Sequence, residues 1–148
     1  MIQFTWSAFY KLSLDQLYAI LALRSDVFVV EQRCFYLDPD GNDRTAVHLM
    51  GQEDNSLVAY ARLFPPTDEK NYLVFGRVLT SNTVRGKGYG KKLITELLQY
   101  CDTHFKGIPI KASAQLYLQK FYEEFGFVTK GNPYDDAGVP HIEMVKQA

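Results

Sequence analysis

The sequence has little with which to build a metal centre or a disulfide scaffold. Its two cysteines, Cys34 and Cys101, stand far apart with no CxxC and no ligand-type spacing. That spacing gives no case for a zinc ribbon, a dithiol redox motif or a cysteine-stapled mini-domain, and two free thiols in a reducing cytoplasm are expected. Long apolar runs are also missing. The longest near the start, Leu17 to Leu23, is short and is interrupted by Tyr18. Neither a signal peptide nor a membrane span is expected from it. No sign of charge dominates: 16 basic residues face 17 acidic ones, for a net charge of −1. The whole chain therefore offers no electrostatic case for binding nucleic acid or an anionic membrane. Repeats, low-complexity tracts and long linkers are absent, so the 148 residues read as one domain, residues 1–148.

What is present is ordinary globular material with a surplus of aromatics. Hydrophobic residues make up 47% of the chain and charged residues 22%, which supports a packed core rather than disorder. Aromatics are abundant, with ten Tyr and ten Phe; many are expected in the core and some lining a cleft.

The elements are short and alternate in type. Ile2 to Trp6 reads as a strand. Ser13 with Gln16 forms a capping box, and Leu14, Leu17, Ile20, Leu21 and Leu23 follow at helical spacing. Val27 to Val30 suits either a continued helix or a strand. Three strands are expected at Val47–Gly51, Leu57–Phe64 and Tyr72–Thr80, with Asp54-Asn55 turning the first hairpin. A strong helical pattern follows Gly90, with Leu93, Ile94, Leu97 and Leu98 on one face. Ile108–Ser113 reads as a strand and Leu116–Phe125 as a helix ended by Gly126. Phe127–Lys130 and His141–Lys146 read as closing strands around a Gly/Pro/Asp loop. The order β-α-β-β-β-α-β-α-β-β predicts an α+β (mixed α/β) chain with helices on a mixed sheet.

The sharpest local signal is Arg85-Gly86-Lys87-Gly88-Tyr89-Gly90, which follows a strand and opens a helix. Glycines permit positive φ and close backbone approach. The first N–H groups of a helix lack internal partners and suit an anion. Arg85, Lys87, Lys91 and Lys92 add positive charge. These are the parts of a pyrophosphate site. The bland alternative is a glycine-rich connector with solvated lysines. A Walker A loop is excluded because Gly90 is followed by Lys91-Lys92 without Ser or Thr. A Rossmann fingerprint does not suit a motif lying past mid-chain.

The pattern R-x-x-G-x-G (Arg85 to Gly90), followed by a helix, a strand and a helix ending in FYEEFGF (Phe121 to Phe127), resembles the GCN5-related N-acetyltransferases. The element order extends the resemblance over essentially the whole chain. Leu23 to Gln32, Ala59 to Leu63, Gly76-Arg77-Val78 and Val139 to Ile142 are similar to the ElaA branch of that superfamily. The resemblance implies the acyl-CoA N-acyltransferase fold, with a mixed central sheet splayed between its fourth and fifth strands. It implies acetyl-CoA as the donor and no metal. The pantetheine arm would lie in the splay like an added strand, along the backbone of Val78, Leu79 and Thr80. Gly86, Lys87, Gly88, Tyr89, Gly90 and Lys91 would hold the pyrophosphate, with Arg85 opening the loop and Gln115 contacting the arm.

By the same resemblance, Tyr122 is the general acid for the leaving sulfur and the Leu79 N–H the donor to the thioester carbonyl. Tyr117 is a weaker candidate for the same cleft. The plain alternative for Tyr122 is a core aromatic among Phe121, Phe125 and Phe127. No carboxylate stands in Ile110-Lys111-Ala112, where many members carry one, so the base is open among Glu31, His141 and His48. For each of these three a structural role is the stronger reading. Arg62 and Arg77 are expected to pair with acids on the sheet face, the alternative being contact with an acidic group on the acceptor. Cys101 reads as core, and no histidine partner is apparent for Cys34. The resemblance implies a small-molecule or peptide amine as acceptor, and the sequence leaves open a small amine, a peptide N-terminus or a protein lysine. Acidic loops at Asp38–Asp43 and Asn132–Pro140 are expected to border its site and mildly favour a cation. A non-catalytic acyl-CoA binding or sensing module is the competing reading, and another phosphate ligand the third. Nothing in the sequence distinguishes a monomer from a homodimer.

Overall fold

A computed structural model describes residues 1–148. Seven strands form one sheet: β1 (Gln3–Ala8), β2 (Val47–Glu53), β3 (Ser56–Phe64), β4 (Leu73–Thr80), β5 (Ile110–Gln115), β6 (Val128–Asp136) and β7 (Val139–Lys146). Their spatial order is β1-β2-β3-β4-β5-β7-β6. Only β4 and β5 pair in parallel. Parallel neighbours need a long crossover, and helix α2 (Tyr89–His104) supplies it.

The helices arise from local chemistry. The Ser13–Gln16 capping box forms in both directions at the start of α1 (Leu14–Arg24), at 3.0 and 2.9 Å. The apolar face of α1 is narrower than its spacing predicts: Leu14 is exposed in the first turn, and Ile20 and Arg24 are the buried residues. The chain then continues as a π-helical segment, Ser25–Glu31, and not as a strand. In α2 the residues Leu93, Ile94, Leu97 and Cys101 are buried, which matches the apolar stripe expected there. The expected last helix is divided: Leu116–Leu118 is a 3-10 turn and only Gln119–Glu123 (α3) is α-helical.

The sheet separates two cores. The larger lies under α2 and includes Leu49, Ala61, Leu63, Leu73, Phe75 and Phe127. The smaller lies under α1 and the π-helical segment and joins Ile20, Val27, Phe28, Met50, Tyr60 and Leu79. Asp54 and Asn55, at φ 51° and 64°, make the tight β2–β3 turn that their sequence predicts. The Gly/Pro/Asp stretch, expected as a loop, is mostly strand: β6 and β7 pair down to Asp136 and Val139. Pro133 is tolerated because β6 is the sheet edge and its register shifts between Lys130 and Tyr134.

Candidate active site

A break in alternation on β4 builds the site. Leu73 and Phe75 face α2, so unbroken period-two alternation would send Arg77 and Leu79 the same way. Instead the β3–β4 register shifts between Tyr60 and Arg62. Arg77 takes φ 51°, a left-handed conformation unusual for a side-chain-bearing residue. This is a β-bulge, and it re-aims the side chains beyond it. Leu79 turns into the smaller core, Val78 packs on the larger one, and the Arg77 guanidinium reaches Asp38.

Past the bulge β4 loses β5. The two pair only at Leu73–Ile110, Val74–Lys111 and Phe75–Ala112. From Gly76 to Thr80, β4 diverges, while β5 stays with β7 through Gln115. The sheet is thus splayed between its fourth and fifth strands. The Ser81 N–H donates to the Val58 C=O at 2.7 Å. Because bonded and non-bonded antiparallel pairs alternate, the Leu79 N–H, opposite Tyr60, turns toward β3. The N–H groups of Val78 and Thr80 turn into the gap. Arg85 Nη2 donates to the Thr80 C=O from that side at 3.2 Å. The donor expected of Leu79 is therefore directed away from the gap, and the N–H groups turned toward it are those of Val78 and Thr80.

Two clefts open on the splay. One, of about 320 Å³, is lined by Val78, Leu79, Thr80, Arg85, Gly90 and Tyr117, among others. The second, of about 380 Å³, lies on the other side of the bulge and includes Tyr36, Arg62, Arg77, Ser113 and His141. Six residues line both: Phe28, Gln32, Val78, Gln115, Leu118 and Tyr122. The clefts meet there.

The glycine-rich loop closes one end of the first cleft. Gly86 and Gly88 adopt φ 88° and 77°, conformations that a side chain would strain. Gly88 also caps α2, whose first N–H groups have no carbonyl one turn earlier to accept from them. Three of the four flanking cations meet a carboxylate, while Lys92 lies over the Tyr89 ring. Arg85 pairs with Glu31, Lys87 with Glu53 at 3.2 Å and Lys91 with Glu124 at 3.4 Å. The Tyr89 hydroxyl donates to Glu53 as well. Glu31 therefore lines the first cleft as the partner of Arg85 and does not line the second.

Tyr122 stands where the two clefts join and is also a core residue. Its ring packs against Phe75 and Phe127 at 6.0 and 5.9 Å, and it is 4% exposed. Burial pushes its phenol well above the usual range, so it stays protonated at neutral pH. Gln115 bonds Gln32 across the junction at 3.3 Å. His141 lies directly opposite Gln115 in the β5–β7 register. Its Nδ1 lies 2.7 Å from the Val139 C=O. A carbonyl only accepts, so Nδ1 holds the proton and Nε2 keeps its lone pair in the neutral ring. Its ring stacks on Tyr134, whose hydroxyl bonds Ser113. His48 has no such freedom: it is fully buried and held by the Tyr60 hydroxyl at 2.6 Å and the Asp43 C=O at 2.9 Å. Desolvation lowers its pKa, which suits a neutral core histidine.

Behind the second cleft is an ionic cluster, of which the sequence announced the pairing of Arg62 and Arg77 but not Arg24 or the acids involved. Arg24 is 0% exposed and bonds Asp38 and Asp43, each at 2.7 Å. Arg62 bonds Asp40 at 2.6 Å and Asp43 at 2.9 Å. Arg77 faces Asp38 at 3.0 Å. The Asp38–Asp43 loop, expected as an acidic lure for a cation, is thus neutralised by three arginines. The pairing foreseen for Arg62 and Arg77 is present. Cys34 is buried in the wall of the second cleft, its Sγ directed at the Gln32 C=O. Cys101 is core, and burial pushes its thiol up to about 12.

Comparison with known proteins agrees with this geometry. The model of the acetyltransferase (GNAT) domain matches residues 31–148. The chain belongs to the GNAT acetyltransferases. Among relatives of this GNAT chain, the UPF0039 protein sll0451 of Synechocystis is 45% identical over 97% of this chain and 94% of its own. The crystal structure of Escherichia coli ElaA superposes with TM-score 0.92 at 41% identity, over 99% of this chain and 100% of ElaA. A Pseudomonas aeruginosa acyl-CoA N-acyltransferase superposes with TM-score 0.94 at 38% identity, over 99% of both chains. The fold is the acyl-CoA N-acyltransferase fold. Both the family and these neighbours support acyl transfer for this GNAT chain.

Sequence reasoning missed Phe28, Gln32 and Ser113 as lining residues. Ser113 was legible as the residue two before Gln115 on one strand face. Phe28 and Gln32 were not, because the π-helical winding that presents them has no sequence signature.

Proposed function

We propose that this GNAT chain moves an acetyl group from acetyl-CoA to a primary amine, by direct attack with donor and acceptor bound together. The observation that carries the reading is the junction of two clefts at Val78, Gln115 and Tyr122. It has one opening toward an anion-binding loop and another toward a separate chamber. Residues present fit CoA: from Gly76 onward β4 has no β5 partner, and Gly86 and Gly88 at positive φ leave open space around the loop backbone. Acetyl-CoA supplies an activated acetyl thioester.

The chain's own residues then divide the work. The Val78 N–H donates to the thioester carbonyl oxygen, where one preorganised donor is worth about 3 kcal/mol. Val78 and Thr80 bond the arm. Gly86 to Lys91 hold the pyrophosphate, with Arg85 and Lys87 exchanging their carboxylate partners for phosphate. Gln115 orients the arm. His141 Nε2 takes the ammonium proton through water, the amine nitrogen bonds the acetyl carbon as the carbon–sulfur bond breaks, and Tyr122 gives its hydroxyl proton to the departing sulfur and regains one from the nitrogen as the amide forms. No metal is asked for, and the work suits a reducing cytoplasm in which both thiols stay free.

Thermal unfolding with CoA, acetyl-CoA, ATP and NAD tests the donor site. A CoA species at a hundred times its Kd is expected to stabilise by about 2.7 kcal/mol, with no shift from ATP or NAD. No shift with millimolar CoA would reject the reading. Gly88→Val, which forces a β-branched side chain into the left-handed region, is expected to abolish the shift. Replacing His141 by Asn is expected to lower kcat/KM about a hundredfold at pH 7. That loss should shrink as pH approaches the amine's own pKa near ~10.4, where the acceptor arrives neutral. A loss constant across pH would remove His141 from proton transfer.

A further inference from the structure

The chemistry of the second cleft narrows the acceptor. Its wall is balanced in charge but not in hydrogen-bond donors. Each guanidinium carries five N–H donors and each carboxylate only accepts. Arg24 spends its Nε, Nη1 and Nη2 on Asp38 and Asp43. Arg77 spends Nη2 on the Asp38 C=O at 3.0 Å and on Asp40 at 3.5 Å. Its Nε faces Asp38 without hydrogen-bond alignment, and its Nη1 has no partner among these contacts. Arg62 Nε is likewise buried without an acceptor. Arg77 keeps 22% of its side chain exposed and lines the cleft. The bulge that aims it there holds a non-glycine residue at φ 51°. Such strain persists where the surroundings enforce it and clusters at ligand clamps.

Arg77 immediately precedes Val78, which lines both clefts, so its guanidinium and the junction belong to one wall of the second cleft. Around it the wall is apolar and aromatic: Phe28, Tyr36, Leu37, Phe64 and Leu118. Tyr36 lies 5.7 Å from the Arg77 guanidinium and supports its orientation. The acids of this cleft are poorly disposed toward a cation. Asp40 is already bridged to Arg62 through both oxygens. Asp136 is exposed beside the β6–β7 turn.

Building on the acyl-transfer reading above, we propose that the acceptor is an amine that also carries a carboxylate, an apolar or aromatic amino acid, and that Arg77 Nη1 holds that carboxylate. Arg77 is then a specificity-determining residue that positions the amine beside Val78. Acetylated products report this without requiring turnover. N-acetylphenylalanine, N-acetylphenethylamine and N-acetylcadaverine are titrated calorimetrically into the protein saturated with CoA. The first two differ in one carboxylate, and the third carries a cation instead. N-acetylphenylalanine is expected to bind at least tenfold tighter than either, because only it makes a charge-assisted hydrogen bond to the guanidinium. Arg77→Gln is expected to erase that preference, and the wild-type comparison stands even where the variant does not fold. Equal affinities, tighter binding of the cation, or no binding of any product to the CoA complex would overturn the proposal. Failure of CoA itself to bind would reject the acyl-transfer reading first, and the carboxylate site with it.

Discussion

Replacing Tyr122 by phenylalanine is expected to lower kcat by about 10²–10⁴-fold and to leave CoA affinity unchanged. The variant keeps the ring, and with it the contacts to Phe75 and Phe127 that tie α3 to the core. Only the hydroxyl at the cleft junction is lost. That hydroxyl is suited to give a proton because burial holds it in its neutral form. A thiolate left without an acid is a poorer leaving group, so the penalty falls on the chemical step and not on binding. Thiol release under saturating acetyl-CoA measures kcat, and the CoA-induced melting shift measures affinity. Unchanged turnover would assign the proton to another donor. Turnover absent from the wild type for every amine, with CoA still bound, would favour a binding or sensing module.

The second large effect is on stability. Arg24→Ala is expected to cost about 3–5 kcal/mol, because it strands buried acids without their partner. For a chain of this size that lowers Tm by roughly 10 °C or more. Arg24→Lys should recover little of it. One ammonium cannot reproduce a fork that bonds Asp38 through Nε and Asp43 through Nη1. Arg85→Ala is the contrast: its pair with Glu31 is 43% and 35% exposed, and such pairs contribute about 1 kcal/mol or less. Equal melting losses in the two variants would refute the assignment of the cluster as a structural keystone.

The same cluster sets the response to acid. The Arg62 hydrogen bond holds the Asp40 carboxyl well below its usual range. For Asp43, burial alone would raise the pKa, but Arg24 and Arg62 together bring it down. A carboxyl with a lowered folded-state pKa contributes stability above its unfolded value, near ~3.9. That contribution is lost as pH falls through the lowered folded value. Asp40→Asn is therefore expected to be less stable than the wild type at pH 7 and to lose less on acidification. Melting curves between neutral and acidic pH check both signs.

Much of the architecture was legible from local rules. The Ser13–Gln16 box, the Asp54-Asn55 turn and the apolar stripe of α2 each depend on residues close in sequence, and each forms as expected. The glycine-rich loop was legible for the same reason: positive φ at Gly86 and Gly88 is a property of one residue at a time. The misreadings share an opposite cause. The stretch from Asn132 to Pro140 looks like a loop, but Tyr134, Asp135 and Asp136 pair with β7 and carry the strand through it, with Gly131, Asn132 and Pro133 taken up in the register shift. Asp38, Asp40 and Asp43 look like solvated acids because their arginine partners come from α1, β3 and β4.

The sequence by itself determined the order of elements, the family resemblance and the presence of a glycine-rich turn at the start of α2, since all three are written in short-range pattern and spacing. Only the tertiary structure decided which backbone N–H faces the splay, which acid is already paired and which guanidinium keeps a free donor. Those depend on a one-residue bulge at Arg77 and on ion pairs between distant segments. A single extra residue reverses every face beyond it. Local pattern carries no record of that reversal, because it exists only once β4 is laid against β3.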